Sequence, residues 1–275
     1  MSETELKQAL GDFIELFKAV PFSDDATIPD STADELLRDT LKLGKFEVKE
    51  DDYGRLISPQ PKSAVYLTYY RNNILHLFAL PGLVMASVFA KKGTSRNAIL
   101  QLIAALYPLL QKELFLHLSQ DEALAHTDAL ITALLDNGLL RQKGEDLLPP
   151  DAHCKQFHSA WLLSRCMQET LQRYAVVLTI LEKEKVISRS ALERESKKVA
   201  ERLSTLYGLS SPEFYDKNVL SSFISALKDN HWLDSEKDGS LKYSEECEAL
   251  REDVMALIWP EMMQHLENVA LSTDN

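Results

Sequence analysis

Leu130-Ile131-Thr132-Ala133-Leu134-Leu135-Asp136-Asn137-Gly138-Leu139-Leu140-Arg141-Gln142-Lys143-Gly144-Glu145-Asp146-Leu147-Leu148 reads as a helix end, a stop and a hairpin. The apolar residues before Asp136 keep helical spacing, and Asp-Asn-Gly favours turn and left-handed backbone over continued helix. Two short apolar runs then flank a Lys143–Asp146 turn, the mark of a tight β-hairpin. The same order occurs twice more. Thr32-x-x-Glu35 is a capping box for a helix through Leu43, Gly44 is its C-cap, and Lys45–Lys49 alternates polar and apolar before Asp52-Tyr53-Gly54 and Arg55–Ser58. Near the other end, Phe223–Leu227 stops at Asp229-Asn230-His231, and Trp232-Leu233-Asp234 and Ser240–Tyr243 flank Lys237-Asp238-Gly239. The prediction is a mainly α chain with about three short β-hairpins, near Lys45–Ser58, Leu139–Leu148 and Trp232–Tyr243, in winged-helix-like helix–hairpin units. Their spacing looks irregular, roughly ninety residues apart, unlike a solenoid repeat.

The rest of the chain reads as helix. Phe13, Ile14, Leu16, Phe17 and Val20 form one face before Pro21, and Ile99, Leu102, Ile103, Leu106, Leu109 and Leu110 form another, with Pro108 expected to kink it. Trp161–Leu181 reads as one long apolar helix. Ser190-x-x-Glu193 opens the next, which closes near Tyr207-Gly208, and Asp216 caps the one after it. Leu250 to Val269 marks the last, interrupted at Pro260, with a frayed tail from Ser272 to Asn275. A sub-boundary is expected near residue 150. Ile74–Ala90 is the longest apolar run. At 1.5 Å per residue it spans about 25 Å, short of a ~30 Å hydrocarbon core. Pro81 and Gly82 interrupt it and Arg71 adjoins it, so a buried core helix kinked at Pro81 is expected rather than a membrane span.

Composition narrows the function classes. Hydrophobic residues are 45% of the 275, enough for a packed core, and the nine Gly suit helices with short connections. A formal charge of -12 repels nucleic acid and anionic headgroups on average. The basic doublets Lys91-Lys92 and Lys197-Lys198 read as solvated helix ends. Cys154, Cys166 and Cys247 suit a reducing compartment, and the acidic N-terminus has no signal-peptide pattern. His153, Cys154, His158 and Cys166 fit no standard zinc spacing, so no metal is expected. No Gly-x-Ser-x-Gly elbow and no Gly-rich phosphate loop occur.

Thr68-Tyr69-Tyr70-Arg71-Asn72-Asn73-Ile74-Leu75-His76 stands apart, because four polar residues and two tyrosines lead directly into the apolar run. On a helix, Tyr69, Asn72 and Asn73 share one side and Tyr70 and Ile74 another, with Arg71 elsewhere. So many hydrogen-bonding groups suggest a local network at the helix entry, or an interface, or a phosphate contact by Arg71. Together with Val20–Ser23, Lys45–Val48, Leu106-Tyr107-Pro108, Lys112–Phe115, Gln168–Ala175, Ala200-x-Arg202-Leu203-Ser204 and Pro212–Lys217, this stretch resembles the C-terminal region of bacterial sn-glycerol-3-phosphate 1-O-acyltransferases. The blocks keep the family's order and cover nearly the whole chain.

The resemblance implies an enzyme at the cytoplasmic side of the bacterial inner membrane. It esterifies position 1 of glycerol 3-phosphate from acyl-CoA or acyl carrier protein, the first acylation of phospholipid synthesis. That family's His-x-x-x-x-Asp motif supplies a general base and its orienting carboxylate. Five residues beyond the seven His here lie Pro81, Glu122, Ile131, His158, Leu163, Glu236 and Ala270, none of them Asp. The expectation is therefore a helical accessory region across residues 1–275 whose catalytic domain is absent. It would be inactive and soluble alone, without catalytic residues or cofactor, and would reach acyl donors only through an upstream acyltransferase partner. Tyr69, Tyr70, Arg71, Asn72 and Asn73 are its candidate interface or support residues, and peripheral membrane association is compatible with it. The other reading is a winged-helix-like protein-interaction module with no enzymatic activity and no nucleic-acid partner.

Overall fold

The computed structural model describes residues 1–91 and 93–271. Lys92, the Val269 side chain and the Ser272–Asn275 tail lie outside the described residues. In chain order the elements are α1 (Glu3–Ala19), α2 (Ala33–Leu41), β1 (Phe46–Asp51), β2 (Gly54–Pro59), α3 (Ala64–Ala90), β3 (Thr94–Ser95), α4 (Arg96–Leu114) and α5 (Gln120–Asp136). They continue with β4 (Arg141–Lys143), β5 (Asp146–Leu148), α6 (Phe157–Arg165), α7 (Gln168–Glu184), β6 (Val186–Ile187), α8 (Arg189–Tyr207), α9 (Lys217–Asp229), β7 (Leu233–Ser235), β8 (Leu241–Tyr243), α10 (Glu245–Met255) and α11 (Pro260–Leu271). The chain is mainly α, with antiparallel hairpins at all three predicted places.

The three units are more regular than their sequences suggest. Each begins at a serine, Ser2, Ser95 and Ser188, 93 residues apart each time. Each serine hydroxyl accepts a backbone N–H three residues on, from Glu5 at 3.2 Å, Ala98 at 3.1 Å and Ala191 at 3.3 Å, and so caps the helix that follows. The short extended segment at each cap then pairs with the second strand of the hairpin that comes later. β3 lies beside β5 in the order β3-β5-β4, β6 beside β8 in the order β6-β8-β7, and Ser2 forms an isolated bridge to Leu56 of β2. This strand–helix–helix–hairpin order, with the first strand against the last, is winged-helix-like.

Side chains repeat with the backbone in the second and third units. Arg96 donates to the Asp128 carbonyl and carboxylate at 3.2 and 2.7 Å and to Thr132 Oγ1. Arg189, 93 residues on, donates to the Ser221 carbonyl and hydroxyl at 3.0 and 2.8 Å and to Ser225 Oγ. The helix stop is shared too: Asn137 N–H returns to Ala133 O and Asn230 N–H to Ala226 O. The next residue turns left-handed in both, Gly138 at φ 71° and His231 at φ 60°. Helices α4 and α8 also end alike. Leu116 N–H bonds Gln111 O, Leu209 N–H bonds Ser204 O, and the residue before each is left-handed, Phe115 at φ 54° and Gly208 at φ 62°. For glycine that backbone is free, whereas for a side-chain-bearing residue it costs about 1–2 kcal/mol.

Several expectations are corrected. Trp161–Leu181 is not one helix: α6 ends at Arg165 and α7 starts at Gln168, broken at Cys166-Met167 without any Pro or Gly. Ser188 rather than Ser190 caps α8, because the chain leaves strand β6 at Ile187 and enters helix at once. The Thr32 capping box and the C-cap at Gly208 are present and Pro260 separates α10 from α11, but α2 ends at Leu41 with Lys42 rather than Gly44 as its cap, and a further capping box at Ser2 starts α1. Asp216 accepts the Asn218 and Val219 N–H groups at 2.8 and 3.2 Å, capping α9. Asp216→Ala should therefore cost about 1 kcal/mol, read as a lower urea midpoint at unchanged slope.

The chain divides into two compact units, Met1–Leu100 with Asp121–Cys166, and Gln101–Gln120 with the chain from Met167 onward. In the first, α3 packs along α6, and α1 packs on α2 and α6. Leu83, Val84, Met85 and Val88 are fully buried, each worth roughly 1.5–3 kcal/mol. The Phe13 and Phe17 rings meet Phe78 edge-on at 5.6 and 5.0 Å. By length and hydropathy Pro61–Ala90 is long enough to cross a membrane, but 61% of its most apolar window is buried within the chain. In the second unit α7 is the core helix, buried at Gln168 and from Thr170 to Leu181, with α8, α9, α10 and α11 packed on it.

Candidate docking surface and its buried support

The block that stood apart in the sequence lies on the first turns of α3. Helices α3 and α7 hold the same place ahead of strands β3 and β6, but α3 has 27 residues and α7 has 17. The repeat distance sets Gln168 opposite Leu75 and α6 opposite Ala64–Asn72, so α3 runs on as one helix where its counterpart is broken at Cys166-Met167. The first turns of α3 carry a stripe of exposed large side chains: Val65 (54%), Tyr66 (62%), Tyr69 (63%), Tyr70 (53%) and Ile74 (47%). Positions 65, 66, 69, 70, 73 and 74 recur at helical spacing and form one face. A soluble helix ordinarily turns such a face inward, and a contiguous exposed apolar patch marks an interaction surface. Tyrosine suits that role, with large contact area, little rotamer entropy and a polar tip.

Structure and sequence expectation differ on which residues share a side. Tyr69, Tyr70, Asn73 and Ile74 all face solvent, while Arg71 and Asn72 are half-buried beside one another. Arg71 donates from Nε and Nη2 to Asn72 Oδ1 at 3.3 and 3.2 Å. The Tyr69 and Tyr70 rings meet edge-on at 6.0 Å, and the Lys45 ammonium sits 4.9 Å from the Tyr66 ring centre. Burial pushes the Cys166 thiol up to about 11, against the pull of the Arg71 charge, which leaves it protonated and unreactive near neutrality. Among the described residues no three His, Cys, Asp or Glu side chains gather as a metal site would require.

The second unit holds a different constellation, built from two of the quoted blocks. Arg173 on α7 bonds the Glu113 carboxylate of α4, with side-chain exposures of only 8% and 12%. Tyr174 donates its hydroxyl to the other Glu113 oxygen at 2.8 Å, and Arg173 also donates to Thr170 Oγ1 at 3.1 Å. Burial, reinforced by the Glu113 charge, holds the Tyr174 phenol protonated far above its usual range. The Tyr174 ring stacks on Phe223 at 4.0 Å and 6°. Ser211, just ahead of the Pro212–Lys217 block, donates its hydroxyl to Glu169 of α7 at 2.6 Å. This enclosed charge network ties α7 to α4, and Arg173 Nε lies buried in it without a hydrogen-bond partner. Sequence reading quoted these blocks without pairing them, since nothing local links residues 113 and 173.

The family described as glycerol-3-phosphate acyltransferase C-terminal region matches residues 1–236. A glycerol-3-phosphate acyltransferase from Alteromonas mediterranea is 90% identical over 272 residues, 99% of this chain and 33% of the relative. One from Pseudoalteromonas atlantica is 52% identical over 269 residues, 98% of this chain and 33% of the relative. The chain thus spans about a third of the length of the curated relatives it matches.

Proposed function

The chain belongs to the glycerol-3-phosphate acyltransferase C-terminal-region family, and from that premise we propose that it is the accessory helical region of a glycerol-3-phosphate 1-O-acyltransferase. It scaffolds the part that carries the chemistry and performs none itself. The observation that carries this reading is the exposed aromatic stripe on the first turns of α3, in a chain matching one third of its relatives. The missing partner is the upstream acyltransferase portion, which acylates position 1 of glycerol 3-phosphate from acyl-CoA or acyl carrier protein at the cytoplasmic face of the inner membrane. Tyr69, Tyr70 and Asn73 meet that portion, and Arg71 with Asn72 holds the helix entry that presents them. The winged-helix-like units support the related reading of a pure interaction module, which the same partner would satisfy.

General-base catalysis needs a positioned base within hydrogen-bond reach of the acceptor hydroxyl. None of the seven His has Asp five residues on. The purified chain should therefore show no glycerol 3-phosphate acylation with acyl-CoA. Turnover that survives His117→Ala would reveal a different active site and overturn the accessory reading. Turnover lost in that variant would make His117 catalytic.

A further inference from the structure

The second and third units share a helix ending but not the residue that forms it. At the left-handed position after α8 stands Gly208, at φ 62°, where an added Cβ would meet nothing within 4 Å. At the matching position after α4 stands Phe115, at φ 54° and 91% exposed. A bulky residue in left-handed backbone is strained, and contacts must hold it there. The contacts on this turn hold the backbone, not the ring. Leu116 is buried, its N–H bonds Gln111 O at 3.1 Å, and the Leu118 carbonyl accepts from both Tyr107 Oη and Gln111 Nε2 at 2.7 Å. The Glu113–Arg173–Tyr174 network anchors the helix end just before it. The turn is thus rigid, and the Phe115 side chain gives the chain almost no buried area in return for its strain.

We propose that Phe115 is a preset anchor that inserts into an apolar pocket of the acyltransferase portion preceding this region in its full-length relatives. The inference rests on the accessory reading above but on a separate surface and a separate observation. The commitment to a protein occupant has two grounds. Two thirds of each relative's length lies outside this region. Lys112, three residues before Phe115, and Arg173, bonded to Glu113, are each engaged by a carboxylate, so neither is left to hold an anionic bilayer. A rigid exposed aromatic entering a pocket is how interface hot spots commonly work.

The test is photo-cross-linking in the full-length Alteromonas mediterranea enzyme, with p-benzoyl-phenylalanine placed at the position that matches Phe115 of this chain or, separately, at the one that matches Tyr69. Phe115 should yield an adduct with a peptide preceding this region, found by mass spectrometry. A lipid adduct, or no adduct, overturns the proposal. A Tyr69 adduct without one at Phe115 leaves the accessory reading standing and removes the Phe115 anchor; no adduct at either position removes both. Thermal melting of this chain gives a second measure. Phe115→Gly should raise the melting temperature by several degrees, because it relieves strain and loses little packing. A lower melting temperature would show that the ring packs within the chain and would also overturn the anchor.

Discussion

Glu113→Ala should destabilise the chain by about 3–5 kcal/mol, a large share of the total stability of a domain. The substitution removes one partner of a buried ion pair and leaves the Arg173 guanidinium without its carboxylate in a site 8% exposed. It also strips the acceptor from the Tyr174 hydroxyl, which burial keeps from reaching water. Losing the carboxylate is worse than never having the pair, since an uncompensated buried charge bears its full desolvation cost. Glu113→Gln, which keeps an acceptor for Tyr174, should cost less. Adding Arg173→Met to Glu113→Ala should recover part of the loss, so the two effects are not additive. Urea unfolding decides it: a midpoint shift worth under 1 kcal/mol for Glu113→Ala would show that the network does not support α7.

The local grammar of the fold was legible in the sequence, and its long-range order was not. Asp136-Asn137-Gly138 and Asp229-Asn230-His231 both announced a helix stop, and both are one, because left-handed backbone and turn chemistry are local. The capping residues Thr32 and Asp216 were likewise readable from a few neighbours. The strands β3 and β6 were not, since two residues carry no period and pair with partners more than fifty residues away. Without them the 93-residue repeat dissolves into an approximate spacing, although the Ser-Arg pairs at 95–96 and 188–189 were its visible trace. The break between α6 and α7 also left no mark, because no Pro or Gly enforces it. At the candidate surface, polar residues ahead of the apolar run drew attention to Tyr69–Asn73. The inclusion of Val65 and Tyr66 in the stripe emerged only from their exposure. Phe115 looked like one more apolar residue of a helix, because its strain lies in a backbone angle that no sequence pattern displays.

Replacing Tyr66, Tyr69 and Tyr70 together by Ser should barely change the isolated chain yet disable the full-length relative. All three are more than half exposed, so truncation removes little buried area, and surface changes of this kind usually fall within 0.5 kcal/mol each. The Lys45–Tyr66 contact is a surface cation–π pair of the same small order. In the full-length Alteromonas mediterranea enzyme the same stripe would be an interface core, where truncating one aromatic anchor costs about 2 kcal/mol or more. Three anchors would then weaken docking by well over tenfold even if their effects fall short of additive. Activity should fall by at least that factor when the catalytic portion depends on this contact for its geometry. Arg71→Ala separates the remaining readings, because Arg71 is half-buried and bonds the Asn72 side chain. Equal stability loss in the isolated chain and the full-length enzyme would assign it to that local pair. A rise confined to the glycerol 3-phosphate KM would make it a phosphate ligand instead. Full activity in the triple serine variant, with the protein folded, would show that the stripe meets something other than the catalytic portion.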